Sequence, residues 1–369
     1  MNLQTVKELS WAPIRSRTLL PSVGLLFIGT VFAQVSAQAD PRGESVRASS
    51  FYRIYAVPAV TNQRFLPFSP PMGASVVESI DVTAARDEYE PASFAVYALQ
   101  PLKKVKVTVT MLEPSGKPTR AATARSPSVD VRVVKCWYQS GGQRANPRNR
   151  LLKPELLLND DDLVRVDYEK QENFLKLVNE SGRAEYVPIS TRRSDHLTAI
   201  LPRDSDTLQP VDIPAGTLKQ FWLTVHVPAD TAPGEYRATA RVQPDNAPAA
   251  ELSLRVTVLP FTLEEPLLRY SLFYRGVLTA DGKGSIGSEA KSAQQYLAEM
   301  RNLKAHGVDY PTIYQGSRYS DVPVEQRIFD PGLIKQALQF REKAGMPKDT
   351  LYTLGVCAAQ EARLMNWGC

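Results

Sequence analysis

The chain has 369 residues, 22% of them charged, and a formal net charge of +5 at pH 7. This length allows two domains, each able to bury its own core. The positive excess is mild and is not gathered into a Lys/Arg block, so nucleic acid is not an expected partner. The three cysteines, Cys136, Cys357 and Cys369, lie far apart without Cys-x-x-Cys spacing. They predict neither a metal site nor a disulfide framework.

Residues 1–39 have the features of a secretory signal peptide. Two arginines precede an apolar run from Leu19 to Ala33, and an Ala-Gln-Ala cleavage site ends at Ala39. The run is shorter than the roughly 20 residues that a membrane span needs. We therefore expect export to the periplasm or the extracellular space, with a mature charge of +3 after the leader's +2 is taken from +5. An uncleaved leader that anchors the chain in a membrane is the alternative.

From Phe51 to Phe261 the pattern is almost entirely that of β-strands. Short runs alternate apolar and polar residues, and clusters of Pro, Gly, Asn and Asp separate them, as is typical of an antiparallel β-sandwich. We assign residues 40–262 to this domain, with a more charged and less regular excursion near 139–198. The predicted strands are 51–57, 76–82, 94–98, 105–111, 129–134, 163–168, 221–227, 236–242 and 252–258.

After Pro266 the pattern changes to strands that alternate with helices. Strands are predicted at 270–274, at 309–314 and from 351, and helices at 288–306 and 331–344. Successive βα units imply a parallel sheet, either a barrel or a doubly wound fold. The expected fold class is multidomain β plus α/β, with residues 263–369 as the α/β portion. The helix signals are Gly307 and Gly345 as stops, Asp330 as a cap and Pro331 as a first helical residue.

The α/β portion is too short for a complete barrel. A (β/α)8 barrel needs about 250 residues, whereas 268–369 supplies only three strands and two helices. The segment after Gly355, "VCAAQEARLMNWGC", is typical neither of a barrel loop nor of a domain end. We therefore expect an incomplete TIM-barrel-like domain, in a sequence that is a fragment or ends in a shifted reading frame.

Several segments resemble one family of large exported bacterial proteins. "DEYEPASFAVYAL" (87–99) and "KQFWLTVHVPADTAPGEYRATARV" (219–242) resemble the N-terminal β-sandwich of proteins related to glycoside hydrolase family 123. "RVVKCWYQSGG" and "LLLNDDDLVRVDYE" resemble the inserted region of the same proteins, and "YRGVL" with "EMRNLKAHGVDYPTIYQ" resembles the opening of their barrel. The resemblance implies a sandwich docked on a catalytic TIM barrel.

The resemblance also implies an activity, the hydrolysis of β-linked N-acetylhexosamine glycans. The family uses an adjacent Asp-Glu pair on a later barrel strand, in a substrate-assisted reaction. The pair Asp87-Glu88 lies in the predicted sandwich and does not match. We therefore assign no catalytic residue and expect this chain alone to be inactive, with a glycan as its partner. The alternative is a non-catalytic carbohydrate-binding or scaffold sandwich.

Candidate substrate contacts follow from barrel geometry, which places working residues at the carboxyl ends of strands. Here those positions hold Tyr274 and Arg275 after one strand, and Tyr314 and Gln315 after the next. These side chains are suited to stack on and hydrogen-bond a sugar ring. Packing at the rim of the sheet is the alternative.

Other motifs carry weaker predictions. Trp137 and Tyr138 are a possible sugar platform, or else part of the core. The "NDDD" turn (159–162) is a solvated turn rather than a calcium loop, because the glycine and ligand spacing of such a loop are absent. "GKGSIG" (282–287) is part of a flexible βα loop. The whole loop, 275–288, is too long for the tight turn of a dinucleotide site, so no cofactor or nucleotide is predicted. We interpret Trp222, which alternates with Phe221, as structural.

Overall fold

The computed structural model describes residues 50–69, 76–116, 125–141, 146–179, 181–189, 202–264, 267–285, 289–315 and 332–352. These residues are mostly β-sheet, with two α-helices among them. The leader (1–39) and the segment after Tyr352 lie outside the described residues, so export and the reading frame of the tail stay predictions. Within the ranges given, no helix is long and apolar enough to cross a membrane.

The secondary structure falls into a long β-rich set and a short α/β set, and every predicted sandwich strand overlaps an observed one. The first set is β1 (Tyr52–Ala56), β2 (Ser79–Arg86), β3 (Glu88–Ala98), β4 (Leu102–Val109), β5 (Glu113–Pro114), β6 (Ser128–Gly141), β7 (Asn146–Leu158), β8 (Val164–Asp167), β9 (Glu172–Val178), β10 (Ala184–Pro188), β11 (Val211–Ile213), β12 (Leu218–Val227), β13 (Gly234–Gln243) and β14 (Ala250–Thr262). The second set is β15 (Val277–Leu278), β16 (Ala290–Lys291), α1 (Ala293–Ala305) and α2 (Gly332–Lys343).

Two sheets form a β-sandwich. Their strand orders are β1-β3-β12-β6-β7 and β11-β4-β13-β14-β2, with β5 added beside β13. Neighbours in these two sheets are antiparallel except β14 and β2, which are parallel. The apolar residues that alternate along the strands meet in one buried cluster, to which the first sheet contributes Phe94 and Phe221 and the second Leu254 and Val256. This shared core is the physical cause of the period of two in the sequence.

The predicted excursion near 139–198 is more regular than its sequence indicated. β7 pairs with β6 and forms an edge of the first sheet, while β8, β9 and β10 form a separate three-stranded antiparallel sheet. Pro147 and Pro154 hid β7 from prediction, although an edge strand tolerates proline because one side of its backbone has no partner. The small sheet adds Leu175 and Leu177 to the main cluster. It is therefore packed into the sandwich rather than looped out from it.

The α/β portion departs from prediction at its first strand. Residues 270–274 are described but form no regular strand. The N–H of Tyr274 donates to the side-chain hydroxyl of Thr312 (2.8 Å) instead of to a backbone carbonyl. Backbone hydrogen bonds nevertheless place the three predicted strand segments side by side. Along 270–274 and 309–314 the residue numbers of the bonded partners rise in the same direction, as in parallel pairing. These bonds are Tyr310 N–H to Tyr270 O (3.3 Å), Thr312 N–H to Leu272 O (3.0 Å) and Ile313 N–H to Tyr352 O (2.8 Å).

The helix α1 starts later than predicted. Residues 290–291 form β16, parallel to β15, and the helix begins after Ser292 instead of at 288. Ser292 and Gln295 form a capping box, in which each side chain accepts from the other's backbone N–H. Gly307 follows α1 with a φ of +76° and Gly345 follows α2 with a φ of +82°. Both glycines act as the predicted helix stops, because glycine adopts a positive φ without steric cost.

The α/β portion has a small core of its own, formed where α1 and α2 pack over the strand segments. Asp330 and Pro331, the predicted start of the second helix, lie outside the described residues. The buried side chains of this core are Leu278, Tyr296, Met300, Ile313, Ala337 and Met346.

Candidate functional site

Tyr274, the first residue predicted to contact substrate, is turned into the protein. Its Oη donates to Oε2 of Glu299 (2.6 Å), whose Oε1 accepts from the buried ammonium of Lys291 (2.6 Å). Its ring covers Gly276, where an added Cβ would clash with the hydroxyl and the ring. Burial, and after it the hydrogen bond to Glu299, raises the pKa of Tyr274. The hydroxyl of Tyr274 is thus engaged within the protein, and substrate contact by this residue stays a prediction.

The other three predicted contacts, Arg275, Tyr314 and Gln315, are each engaged by a neighbour. The Gln315 amide is fixed by Leu278, whose N–H donates to its Oε1 (2.6 Å) and whose carbonyl accepts from its Nε2 (3.3 Å). Substrate contact by these residues stays a prediction. The remaining pairs are Arg275 with Glu289, through an ion pair, and Tyr314 with Phe273, through an edge-on ring contact at 5.8 Å between centroids.

Trp137 and Tyr138 do not lie together as a platform. They are consecutive residues of β6, so their side chains leave opposite faces of the strand. Trp137 packs against the main hydrophobic cluster and donates its indole N–H to Oε2 of Glu155 (2.8 Å). The ring of Tyr138 meets Tyr168 edge-on, at 6.5 Å between centroids. The structure therefore favours the packing alternative for Trp137.

The turn at 159–162 holds ion pairs. Asp161 lies between two lysines, with Oδ2 3.1 Å from Lys135 Nζ and Oδ1 2.8 Å from Lys219 Nζ, and its side chain is only 21% exposed. Burial, the largest influence, would raise the pKa of Asp161, but the two ammonium groups outweigh it and hold that pKa below its usual range. In the part of the chain that the structure describes, no group of three or more His, Cys, Asp or Glu side chains is placed to hold a metal ion.

Two further motifs have local roles. Asp87 lies in the turn between β2 and β3 with a φ of +64°, and Oε2 of Glu88 accepts the N–H of Ala85 (2.6 Å). The Asp-Glu pair therefore closes a sandwich turn. In the glycine-rich loop, residues 286–287 lie outside the described residues, and α1 is capped by Ser292 instead of by the loop. Gln295 Nε2, in the first turn of α1, donates to the carbonyl of Ser285 (3.1 Å), so the described end of the loop lies beside the helix N-terminus. The absence of a nucleotide site stays a prediction.

A cleft of about 550 Å³ lies on the outer face of the first sheet. Phe221 is fully buried between the sheets, so the next residue, Trp222, emerges on the opposite face. Trp222, Gln220 and Val134 form the floor, the last two being paired across β12 and β6. We call this space the outer-face cleft; its walls come from the loop at 58–65 and from β7 within 153–157.

The loop after β1 is a wall that is pinned at both ends. The N–H of Val57 donates to the carbonyl of Ser93 (3.2 Å), and the N–H of Leu218 donates to the carbonyl of Pro67 (2.8 Å). Between these anchors Phe65 is buried in a small apolar cluster that includes Leu218. A wall held in this way is already ordered before a ligand binds, which lowers the entropy cost of binding.

The polar groups of the outer-face cleft are also oriented. The Gln220 amide donates from Nε2 to the hydroxyl of Ser93 (2.7 Å), which fixes it at the floor. On the β7 wall, Glu155 accepts the indole N–H of Trp137. The cleft thus combines one large aromatic side chain with positioned amide and carboxylate groups, the composition typical of a small-molecule site.

The same outer face contacts the α/β portion further along β12. The ring of Tyr89 stacks on His226 at 4.2 Å and lies 6.0 Å from the ring of His306, which follows α1. His226 is four residues beyond Trp222, about 14 Å along an extended strand. The outer-face cleft and this contact therefore lie on the same face of the sheet, at different points along β12. The third histidine, His196, lies outside the described residues.

Trp222 was interpreted from the sequence as structural, and the sequence also carries the signal for its position on the outer face. In "KQFWLTVHV" the apolar residues Phe221, Leu223, Val225 and Val227 mark the buried face, so Trp222 has to lie on the other one. The loop wall carries no comparable signal, because its position depends on hydrogen bonds to strands that are distant in the sequence.

Comparisons with known proteins give only weak, fold-level likenesses. No family model matches the chain, and no curated protein matches it. A family 123 glycoside hydrolase from Clostridium perfringens has a TM-score of 0.43 and 10% identity, over 73% of this chain and 42% of that one. This chain therefore spans less than half of that enzyme's length.

Two β-domains show still weaker likenesses. The PapD-like domain 7 of human CEP192 has a TM-score of 0.20 and 9% identity, over 63% of this chain and 99% of that one. The seventh ScaB type I cohesin from Pseudobacteroides cellulosolvens has a TM-score of 0.16 and 10% identity, over 52% and 93%. Scores this low carry no argument about function, which has to come from the cleft itself.

Proposed function

We propose that this chain is an exported, glycoside-hydrolase-like protein whose β-sandwich binds an oligosaccharide in the outer-face cleft. The observation that carries the proposal is the position of Trp222, on the outer face of a strand whose other face is fully buried. An indole offers a broad apolar face and one N–H donor. These features complement a sugar ring, which has an apolar C–H face and a rim of hydroxyl groups.

The dimensions and rigidity of the cleft support the same proposal. Its volume of about 550 Å³ lies within the range that small-molecule sites usually occupy. Its floor is built on β12 and β6, and side chains on strands are held more rigidly than those on loops. A preformed floor and a pinned wall are what binding of a flexible, hydrated oligosaccharide requires, because the protein then loses little entropy on binding.

Hydrolysis of β-linked N-acetylhexosamine glycans is the second candidate function. It rests on the sequence resemblance. The parallel hydrogen bonds between 270–272 and 310–312, and the bond that joins Ile313 to Tyr352, favour the start of a barrel-like α/β domain after residue 262. The hydroxyl of Tyr274 is engaged by Glu299, and substrate contact by this residue stays a prediction. In this proposal the present chain contributes the sandwich and its glycan contact, and hydrolysis requires carboxylates that its motifs do not include.

The test is a binding measurement on the full chain. Wild-type protein, Trp222→Ala and Thr224→Ala would be titrated with neutral and acidic oligosaccharides by calorimetry. We expect Trp222→Ala to weaken binding by about 30-fold, the effect of losing a buried aromatic contact. Thr224 lies on the same face two residues along β12 and outside the cleft, so Thr224→Ala should bind like the wild type.

Two results would contradict the proposal. One is the absence of binding to any oligosaccharide by the folded wild-type chain. The other is binding that both variants leave unchanged, since the glycan would then lie elsewhere on the molecule. Circular dichroism of each variant would confirm that the sandwich is intact.

A further inference from the structure

We propose that the outer-face cleft selects an anionic saccharide, one whose sugars carry carboxylate or sulfate groups. This inference rests on the proposed function and adds the chemical class of the glycan. Its basis is the pair of cationic side chains that line the cleft, Arg64 on the loop wall and Lys153 on the β7 wall.

Neither cation has an ion-pair partner among the residues that the structure describes. Two other cations, both on β6 of the same sheet, are neutralised: Arg132 Nε lies 2.8 Å from Asp130 Oδ2, and Lys135 pairs with Asp161. Arg64 and Lys153 therefore present charge that is not compensated within the protein. Both line one concave space, where charge acts more strongly than on an open surface.

The acidic side chain that lines the cleft does not cancel them. Glu155 directs Oε2 to the indole N–H of Trp137 at 2.8 Å, and that bond holds it against the β7 wall. With Arg64, Lys153 and Glu155 counted together, the lining carries a net charge of +1. A neutral sugar would leave the excess uncompensated, whereas an anionic sugar would compensate it.

The arrangement also fits the geometry of an acidic sugar. The guanidinium of Arg64 has the planar donors that carboxylate and sulfate groups accept in pairs. Lys153 adds a compact second charge, and Trp222 supplies the face for the ring. Charge-assisted hydrogen bonds of this kind are stronger than neutral ones, so the acidic group should determine selectivity while Trp222 supplies affinity common to all sugars.

A nucleic acid also combines anionic groups with rings that stack, but the surface favours a saccharide. Binding to a phosphate backbone needs several cations in a row. Next to Trp222 on the outer face, the cross-strand neighbour is Arg132, and its charge is compensated by Asp130. Arg53, on the outer face of β1, is a further cation without an ion-pair partner among the described residues, but it does not line the cleft. So few cations suit a short acidic glycan better than a phosphate backbone.

The experiment compares matched acidic and neutral probes on the full chain. The probes are an oligogalacturonide and its methyl ester, a carrageenan oligosaccharide and its desulfated form, which has no carboxylates, and a single-stranded oligonucleotide. We expect each acidic probe to bind about tenfold more tightly than its neutral counterpart at low salt. That preference should diminish as the ionic strength rises.

Three variants assign the preference to the cleft. Arg64→Gln and Lys153→Gln should each weaken binding of the acidic probes about tenfold and leave the neutral probes unaffected. Lys106→Gln removes the same charge from the exposed side of β4, in the other sheet, and should change nothing. Trp222→Ala should weaken acidic and neutral probes alike.

The outcomes separate this inference from the proposed function. Equal binding of acidic and neutral probes would overturn the inference and leave the glycan site in place. The same loss in Lys106→Gln as in the cleft variants, or tighter binding of the oligonucleotide than of any saccharide, would also overturn it. Failure of every saccharide to bind would overturn the proposed function itself.

Discussion

The sandwich and the α/β portion differ in how completely each one covers its own apolar residues. In the sandwich, alternate residues of two sheets face one another, and Phe94, Phe221 and Leu254 are fully buried. In the α/β portion, Leu268 is 70% exposed and Phe273 is 54% exposed. Two antiparallel sheets bury each other, whereas a parallel sheet needs cover on both faces. The sandwich, which covers its own apolar residues more completely, is therefore the part of the molecule that supplies a rigid base for a binding site.

The largest effect is expected from removing the charge of Asp161, which lies at the centre of the sandwich's buried ion cluster. Asp161→Asn leaves Lys135 and Lys219 without their counter-charge, and breaking a buried pair in this way costs about 3 kcal/mol. Urea denaturation should show that loss in the free energy of unfolding. Asp206→Asn is the control, because Asp206 is 86% exposed and its pair with Arg203 should contribute little. An equal effect of the two substitutions would show that the cluster does not stabilise the sandwich.

The same cluster predicts a pH dependence. Because the pKa of Asp161 is lowered in the folded chain, the unfolded chain binds more protons at acid pH. The stabilisation is therefore present above the pKa of an unfolded aspartate, about 3.9, and is lost as the pH falls through the lower folded value. The free energies of unfolding of wild type and Asp161→Asn should converge below about pH 4. Curves that stay parallel would contradict the assignment.

The second test concerns the exposed apolar side chains of the α/β portion. We expect the full chain to self-associate through this surface, because apolar patches that remain exposed favour contact with another molecule. Leu268→Glu should weaken association about tenfold, the effect of removing one buried leucine. Analytical ultracentrifugation would measure it. Met111→Glu, at an exposed single residue of the sandwich, should leave association unchanged, and an equal effect there would contradict a role for the α/β surface.

The smallest test asks whether the two regions unfold independently. Ser292→Ala removes the capping box of α1 and should cost about 1 kcal/mol. Amide hydrogen exchange should then become about fivefold faster in α1 and stay unchanged in β12 and β13. The matched substitution Ser253→Ala, on the exposed side of β14, should alter neither region. Faster exchange throughout the sandwich would show that the two regions unfold as one unit.

The sequence predicts those features that depend on local pattern. Sandwich strands were found because alternation follows directly from burial of one face, and Gly307 and Gly345 were found because a positive φ selects glycine. β7 was missed because Pro154 is a residue that usually interrupts a strand. A proline is acceptable here because β7 lies at the edge of its sheet. The start of α1 was misplaced because the short strand β16 precedes it, although Ser292 and Gln295 carried the capping signal.

The outer-face cleft could not be predicted from the local sequence pattern. Trp222 was assignable to the outer face by alternation alone, but Arg64 and Lys153 come from a loop and an edge strand separated by almost ninety residues in the sequence. Backbone hydrogen bonds such as that between Leu218 and Pro67 bring the loop and the edge strand to the same cleft, and no sequence motif predicts these bonds. Tertiary contacts of this kind decide which charged side chains face a common space, so the cleft required a structure.

The parallel pairing of β2 with β14 has a consequence for the order in which the chain folds. Ser79 lies opposite Ser253, so β2 cannot pair until β14, which is synthesised much later, is available. Closing so long a loop is an entropic cost paid before the contact forms, and such pairings slow folding. A nascent chain that has reached β13 therefore carries β2 as an unpaired strand. Until β14 pairs with it, β2 presents free backbone N–H and C=O groups that could pair with another chain.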